Sequence, residues 1–299
     1  MLLILRSKKR ILKKVKKFNE LISHHLKNAG VDFSFASFED IEIFMETGKI
    51  NLLIDDKPLQ NWKTIYPRKV GEYRILAFIL ANLSKKNKLI FIDRFLENSS
   101  STTKIVQMFQ FAQNKIPIPK TYYTTTYSRK QLSSAVKFLG LPVVIKKCNT
   151  SQGSGVFLAK TVSELNKSIK ALLKSKNNGS IFLQEFIPND FEYRIFVTGN
   201  KIGAAEKKIR TKAGEFRNNV HLGAREEFVK ISDVKKNILK IALKASHISN
   251  IQVSGVDIVE ANGRIVVFEA NSCPGLTFDE KISPELKSLA NYLEECEKK

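Results

Sequence analysis

Between Ser254 and Gly275 the chain reads SGVDIVEANGRIVVFEANSCPG, two β-rich apolar runs meeting at Ala261-Asn262-Gly263. That pattern commits the region to an antiparallel hairpin. The hairpin carries three hard oxygen donors, Asp257, Glu269 and Asn271. Both acids lie inside the apolar runs, which favours a site over solvated surface acids, the plain alternative. Magnesium takes few protein oxygens and completes its shell with water and phosphate, so the trio is a candidate metal site. Glu269 and Asn271 are two positions apart and share one strand face. Whether Asp257 joins them depends on the turn. A two-residue turn pairs 257 with 268 and points Asp257 away, whereas a three-residue turn pairs 257 with 267 and brings all three together. The expectation is the odd-length turn, with a left-handed glycine and a bulge beside it.

The rest of the chain follows the same alternation. The polar stretch Asn98 to Thr103 closes a first unit of about 97 residues, which ends in ILAFILANL and KLIFIDRF. A helix is expected from Lys104 to about Asn114, with Ile105, Met108, Phe109 and Ala112 on one face. Ile116-Pro117-Ile118-Pro119 stops it, because proline disfavours helix in the residue before it. Ser128 to Gln131 and Thr161 to Glu164 have capping-box spacing and open two more helices. KTYYTT, LPVVIKK, VFLAK, SIFLQEFI, YRIFVTG and KIGAAEKKIR read as strands, and a helix at about 233–247 precedes the hairpin. No repeat or low-complexity tract interrupts the pattern. The expected class is α+β, mostly antiparallel from about residue 100 onward. At 299 residues and 43% hydrophobic, the chain can bury a large core divided over one to three domains.

The net charge of +21 has two readings. It fits an acidic partner such as nucleic acid, a ribonucleoprotein or a glutamate-rich peptide. It also fits a lysine-rich surface that is merely solvated. Residues 6–17 hold eight basic residues and no acid, interleaved with Ile11, Leu12 and Val15, which predicts a basic amphipathic helix. No apolar stretch approaches the roughly 20 residues that span a bilayer. The opening MLLILRSKKR reverses the order of an export signal, so a cytoplasmic protein without membrane attachment is expected. Cys148, Cys273 and Cys296 are too scattered for a disulfide framework or a zinc cluster.

A second constellation runs from Val143 to Val156. A strand presents Lys146, a loop of small residues with Gly153 and Gly155 follows, and a second strand begins. Backbone amides and a lysine in that order suit a triphosphate. The loop is no P-loop, lacking GK[ST] and a following helix. Alone it is weak, since most such turns are plain hairpins. Further on, alternation sends Glu206, Lys208 and Arg210 to one strand face and Lys207 to the other, with one face meeting nucleotide or substrate. Arg194 shares a face with Glu192 as a candidate ion-pair partner.

Taken in order, the lysine with its glycine loop, Gln184-Glu185-Phe186-Ile187, Phe216-Arg217-Asn218-Asn219 and Glu269-Ala270-Asn271-Ser272-Cys273-Pro274-Gly275 resemble ATP-grasp ligases. The resemblance is to the RimK-like group, carboxylate–amine (glutamate) ligases, and covers about residues 99–285. Before residue 97 only Tyr66-Pro67-Arg68 is similar to the family's first domain. The resemblance implies an ATP-grasp fold, two α+β lobes clasping ATP, preceded by an N-terminal α/β domain. Its boundaries here are 1–98 for that domain, 99–187 for the small lobe with the glycine loop, and 188–299 for the C-terminal lobe.

The same resemblance assigns roles. Lys104 and Lys146 hold ATP phosphates, and the amides of Gln152, Gly153, Ser154 and Gly155 close over them. Gln184, Glu185, Phe186 and Ile187 line the adenine, with backbone contacts at Glu185 and Ile187, and Glu192 accepts from the ribose. Asp257, Glu269 and Asn271 bind Mg2+ (or Mn2+), two ions in all, and Arg217 and Asn219 sit at the transferring phosphate. Partners implied are ATP, amino-acid or peptide carboxylate and amine substrates, and, through the charge, an acidic protein or the ribosome; self-association into a homo-oligomer is compatible with the chain. The sequence departs from the family beside His221, where Leu222-Gly223-Ala224 replaces a basic residue and two glycines. That loss bears on substrate identity. Two other activities fit the same scaffold: an inactive ATP-grasp domain binding nucleic acid or ribosome, and an ATP-grasp kinase.

Overall fold

The computed structural model describes residues 1–8, 13–98, 103–148, 155–174, 180–212, 214–218, 223–277 and 283–299. Its first element, β1 (Leu2–Arg6), corrects the expected basic helix over 6–17. Leu2 to Leu5 are all fully buried, as in a parallel strand covered on both faces. Arg6 ends that strand, Lys8 pairs with Asp40, and helix α1 (Lys13–Asn28) starts only at Lys13. Positions 9–12 of the expected helix lie outside the described residues.

Strand β2 (Phe33–Ser37) follows α1, then a side sheet of β3 (Ile41–Glu46), β4 (Lys49–Ile54) and β5 (Lys57–Pro58). Strand β6 (Thr64–Pro67), helix α2 (Arg74–Lys86) and β7 (Ile90–Phe91) complete an all-parallel sheet in the order β2-β1-β6-β7. This is the α/β unit anticipated for the start of the chain.

Helix α3 (Lys104–Gln113) is capped by the Thr103 hydroxyl, which accepts from Val106 N–H at 3.5 Å. Its buried face is Gln107, Met108 and Phe111, whereas Phe109 is 63% exposed, so the expected stripe is rotated. The reason is polar. Gln107 donates to Ala270 O and accepts from Ala270 N–H, both at 2.9 Å, and so fixes the helix to the edge of another sheet. Removing it by Gln107→Ala leaves both backbone groups unpaired. A loss of about 2 kcal/mol in urea unfolding is expected.

Four strands, β8 (Thr121–Tyr122), β9 (Val143–Lys147), β10 (Val156–Ala159) and β11 (Ile181–Glu185), form an antiparallel sheet ordered β10-β9-β11-β8. Helices α4 (Arg129–Leu139) and α5 (Val162–Lys174) supply Leu132, Ala135, Leu139, Leu165 and Ile169 to its core. The capping box at Ser128 and Gln131 is present in both directions.

The last sheet holds β12 (Phe191–Thr198), β13 (Lys201–Ile209), β14 (Arg225–Val229), β15 (Val253–Ala261) and β16 (Arg264–Asn271), ordered β14-β13-β12-β15-β16 and antiparallel throughout. On one face α3 and α6 (Lys236–Ile248) share a core with Val256, Ile258 and Val267. On the other face α7 (Pro284–Lys298) packs Leu286, Leu289 and Leu293 against Phe196, Ala204 and Val253 and also against Leu2, Ile4 and Ile22. One helix therefore joins the first and last sheets through a common core.

The hairpin reaches the expected arrangement by a different device. Its turn has two residues, Asn262 and Gly263, both at positive φ, and Ala261 pairs with Arg264. That register would point Asp257 away from Glu269. A shift between Asp257 and Ile258 corrects it: Ile258 faces Val267 while Asp257 faces Glu269, leaving Phe268 as the extra residue of a β-bulge. The odd residue thus sits in the strand and not in the turn.

Candidate active site

Asp257 and Glu269 lie directly opposite each other, and Asn271 Nδ2 donates to Asp257 Oδ2 at 3.3 Å and to Glu269 Oε1 at 3.1 Å. The three predicted donors therefore converge. Two carboxylates and a carboxamide are all hard oxygen ligands, which fits Mg2+; rotation of the Asn271 amide presents its oxygen in place of its nitrogen.

The negative charge of the trio is balanced by side chains from other elements. Arg194 on β12 grips Asp257 with two bonds, Nε to Oδ1 at 2.9 Å and Nη2 to Oδ2 at 2.8 Å. Lys208 on β13 donates to Asp257 Oδ1 at 3.0 Å and to Glu192 Oε1 at 3.1 Å. Burial pushes the Asp257 carboxyl up, but Arg194 and Lys208 pull it further down, so it stays ionised. Burial raises Glu192 despite Lys208 beside it. Lys104, on the first turn of α3, forms an ion pair with Glu269. Bound metal and phosphate would compete with that pair for both partners.

Lys146 belongs to the facing sheet, yet its charge is felt by the same groups. Burial, and next the positive charge of Lys104, lowers its pKa to about 7 against the opposing influence of Glu192 and Asp257. Its ammonium sits 5.1 Å from the ring centroid of Phe268, the bulged residue. The backbone ties the parts together: Lys104 N–H donates to Cys148 O at 3.4 Å, and Lys147 N–H donates to Gly155 O at 2.9 Å across the hairpin mouth. Gln152, Gly153, Ser154 and Asn219 lie outside the described residues, as do His221 and Leu222.

On the strand that leads between the two sheets, Gln184 is buried with Nε2 donating to Thr121 Oγ1 at 2.9 Å. Glu185 pairs with Arg264 at 2.7 Å, and its N–H donates to Lys120 O. Phe186 meets Phe216 edge to face, and Ile187 packs with Val259, Val266 and Phe268. Arg217 is held by Glu215, with Nε and Nη2 each at 2.8 Å, and its Nη1 lies 3.4 Å from Val156 O at the start of β10. It stands at the start of β10, and Glu215 is an ion-pair partner.

Lys208 and Arg194 are the residues whose place the sequence left undecided. Alternation had grouped Glu206 with Lys208, and both are buried, whereas Lys207 lies over the rings of Phe191 and Tyr193 on the other face. Strand face alone pairs Arg194 with Glu192, but its partner is Asp257 on the neighbouring strand, where the register sets the two side by side. The signal available was one acid-and-base alternation on each strand; the choice of partner needed the sheet order.

Comparison with known proteins agrees with this architecture. A RimK-like ATP-grasp domain model matches residues 101–287. A probable alpha-L-glutamate ligase from Vibrio atlanticus (strain LGP32) is 31% identical over 245 residues, covering 81% of this chain and 78% of its own. Among solved structures, ATP-grasp ligase PsnB complexed with minimal precursor, Mg, and ADP superposes with a TM-score of 0.71 at 12% identity, over 100% of this chain and 98% of that one. D-alanine–D-alanine ligase from Bacillus anthracis gives 0.65 at 14% identity, over 98% and 93%. Those two similarities establish the ATP-grasp fold. With the domain match spanning more than half its length, the chain belongs to the RimK-like ATP-grasp family.

Proposed function

We propose that the protein is an ADP-forming carboxylate–amine ligase that works through an acyl phosphate and adds glutamate or another amino acid to an amino-acid, peptide or protein acceptor. Its family makes it an ATP-using enzyme of the carbon–nitrogen ligase class. The observation that carries the finer reading is the convergence of Asp257, Glu269 and Asn271 from one sheet with Lys104 from α3 and Lys146 from the other sheet.

A carboxylate is a poor electrophile because its leaving group would be oxide. Transfer of the γ-phosphoryl group to it gives a mixed anhydride that an amine attacks, with phosphate leaving. The protein's task is then positioning, and positive charge where negative charge spreads. In this reading Lys104 and Lys146 hold the phosphates and Glu192 meets the ribose. The adenine lies along Gln184 to Ile187, and Gln152 to Gly155 cover the phosphates. Arg217 and Asn219 act at the transferring group. Asp257, Glu269 and Asn271 would hold two magnesium ions, which neutralise charge on the phosphates when bound. The glutamyl preference rests on relatives named probable alpha-L-glutamate ligase.

The test is ADP release across amino-acid and glutamyl-peptide pairs, run with and without hydroxylamine. ADP that depends on the acid substrate, a trapped hydroxamate and a product heavier by one amino-acid residue are expected. ADP without hydroxamate would instead mark a phosphotransferase. No ADP with any pair would leave a nucleotide binder.

A further inference from the structure

The N-terminal sheet carries a charged feature that the reaction above does not use. Strands β1 and β6 are parallel neighbours. Helix α1, which follows β1, packs on the face of Leu2 and Ile4, whereas α2, which follows β6, packs on the face of Leu3 and Leu5. The winding of the chain therefore reverses between β1 and β6. In open α/β sheets, the crevice beyond the carboxyl ends of two such strands is where ligands seat. Arg6 is the last residue of β1, and Arg68 directly follows β6.

The two side chains share a wall. The Arg6 guanidinium carbon is 4.8 Å from the Phe18 ring centroid, and that of Arg68 is 5.3 Å from the same centroid. Their hydrogen-bond partners are neutral. Arg68 is buried, with Nη1 donating to Tyr66 Oη at 3.2 Å and Nη2 to Pro274 O at 3.1 Å. Arg6 Nη2 donates to Asn19 Oδ1, while its Nε is buried with no acceptor. Among the described residues no carboxylate forms an ion pair with either arginine. Asp93, whose field reaches Arg68, is itself buried, accepts from Gln252 N–H and Val253 N–H, and is pushed up to about 8 by burial. The half-buried Arg6 thus stands beside the buried Arg68 with no ion-pair partner among the described residues, and burial and Arg68 together lower Arg6 to about 10. A planar anion matches the forked donors of guanidinium groups.

We infer that Arg6 and Arg68 form a subsite for a substrate carboxylate other than the one that is activated. The activated carboxylate must lie against the phosphates at Asp257, Glu269 and Asn271. Pro274, whose carbonyl anchors Arg68, belongs to the loop that leaves that trio, so the two sites adjoin without coinciding. The substrate is then an amino acid or peptide with a second carboxylate. This deepens the ligase reading and rests on it for the word substrate, but the anion subsite is testable by itself.

Isothermal titration with α-glutamyl-glutamate and with its fully amidated form supplies that test. The acid should bind wild type at least tenfold more tightly than the amide. Arg6→Gln and Arg68→Gln should each weaken binding of the acid tenfold or more and raise its KM in ADP release, with KM for ATP within twofold of wild type. Should Arg68→Gln lower the melting temperature, Arg68→Lys, which keeps the charge and loses the fork, replaces it beside Arg6→Gln. Equal binding of acid and amide by wild type, or unchanged affinity in Arg6→Gln, would overturn the subsite. Lost binding in the variants with no ADP release from wild type on any substrate pair would uphold the subsite and sink the ligase.

Discussion

Glu269→Gln is expected to reduce ADP formation at saturating Mg-ATP by a factor on the order of 10²–10³, with the melting temperature within a few degrees of wild type. The two halves of that result have separate causes. Glu269 and its partner Lys104 are each about a quarter exposed, at 26% and 25%. Water screens such a pair, and its loss costs roughly 0–1 kcal/mol of stability. The carboxamide keeps the shape but donates less charge to a hard cation, so metal and phosphate binding suffer out of proportion to the fold. Asp257 makes the contrast. Its side chain is 6% exposed and sits between Arg194 and Lys208, so Asp257→Ala takes the carboxylate from Arg194 and leaves the buried Lys208 with Glu192 alone, at a cost of about 3–5 kcal/mol. Lost activity there would report unfolding as readily as lost chemistry. Urea unfolding and ADP release measured on both variants separate the effects. Near-normal ADP release in Glu269→Gln, or an unchanged Mg2+ requirement, removes the metal assignment.

What the sequence made legible follows from which interactions are local. Glu269 and Asn271 share a face because strand alternation is fixed by covalent geometry, and the pair is found together. The capping box at Ser128 was visible for the same reason: both partners lie within one turn. Asp257 was harder. Its position depends on a bulge at Phe268, and nothing in Val-Val-Phe-Glu marks a bulge, since no glycine is present. The bulge belongs to packing, with Phe268 set against the Ile187 cluster and under Lys146. Helix α3 failed by face for a related reason. Its inward stripe includes Lys104 and Gln107, polar residues whose partners, Glu269 and Ala270, lie more than 160 positions away. An apolar-period reading rotates such a helix toward Phe109. Strand β1 carries no sequence signature, because four buried aliphatic residues are too few to declare a period and the lysines after them fit a helical one. Asp257 and helix α3 thus turn on contacts with residues distant in sequence, in the region proposed for the chemistry.

Lys146 carries the last expected result: nucleotide binding takes up a proton. Its pKa of about 7 in the free protein, set by burial and then by Lys104, leaves it mostly neutral at pH 8. A triphosphate alongside restores the charged form and moves the pKa back toward the ordinary lysine value of 10.5. Between those limits binding must draw a proton from solution, so affinity for ATP falls by up to tenfold for each pH unit above about 7 and is flat below it. Stability of the free protein should run the other way. The unfolded chain keeps the proton that the fold excludes, so this group makes the folded state more stable as pH rises from about 7 to 10.5. Titration calorimetry at pH 8 in two buffers of different ionisation enthalpy should give uptake approaching one proton with a non-hydrolysable ATP analogue. Lys146→Arg, charged at every accessible pH, should abolish that uptake and flatten the pH dependence of affinity. If Lys146→Arg takes up as much as wild type, the proton goes to another group and the lysine does not face the phosphates.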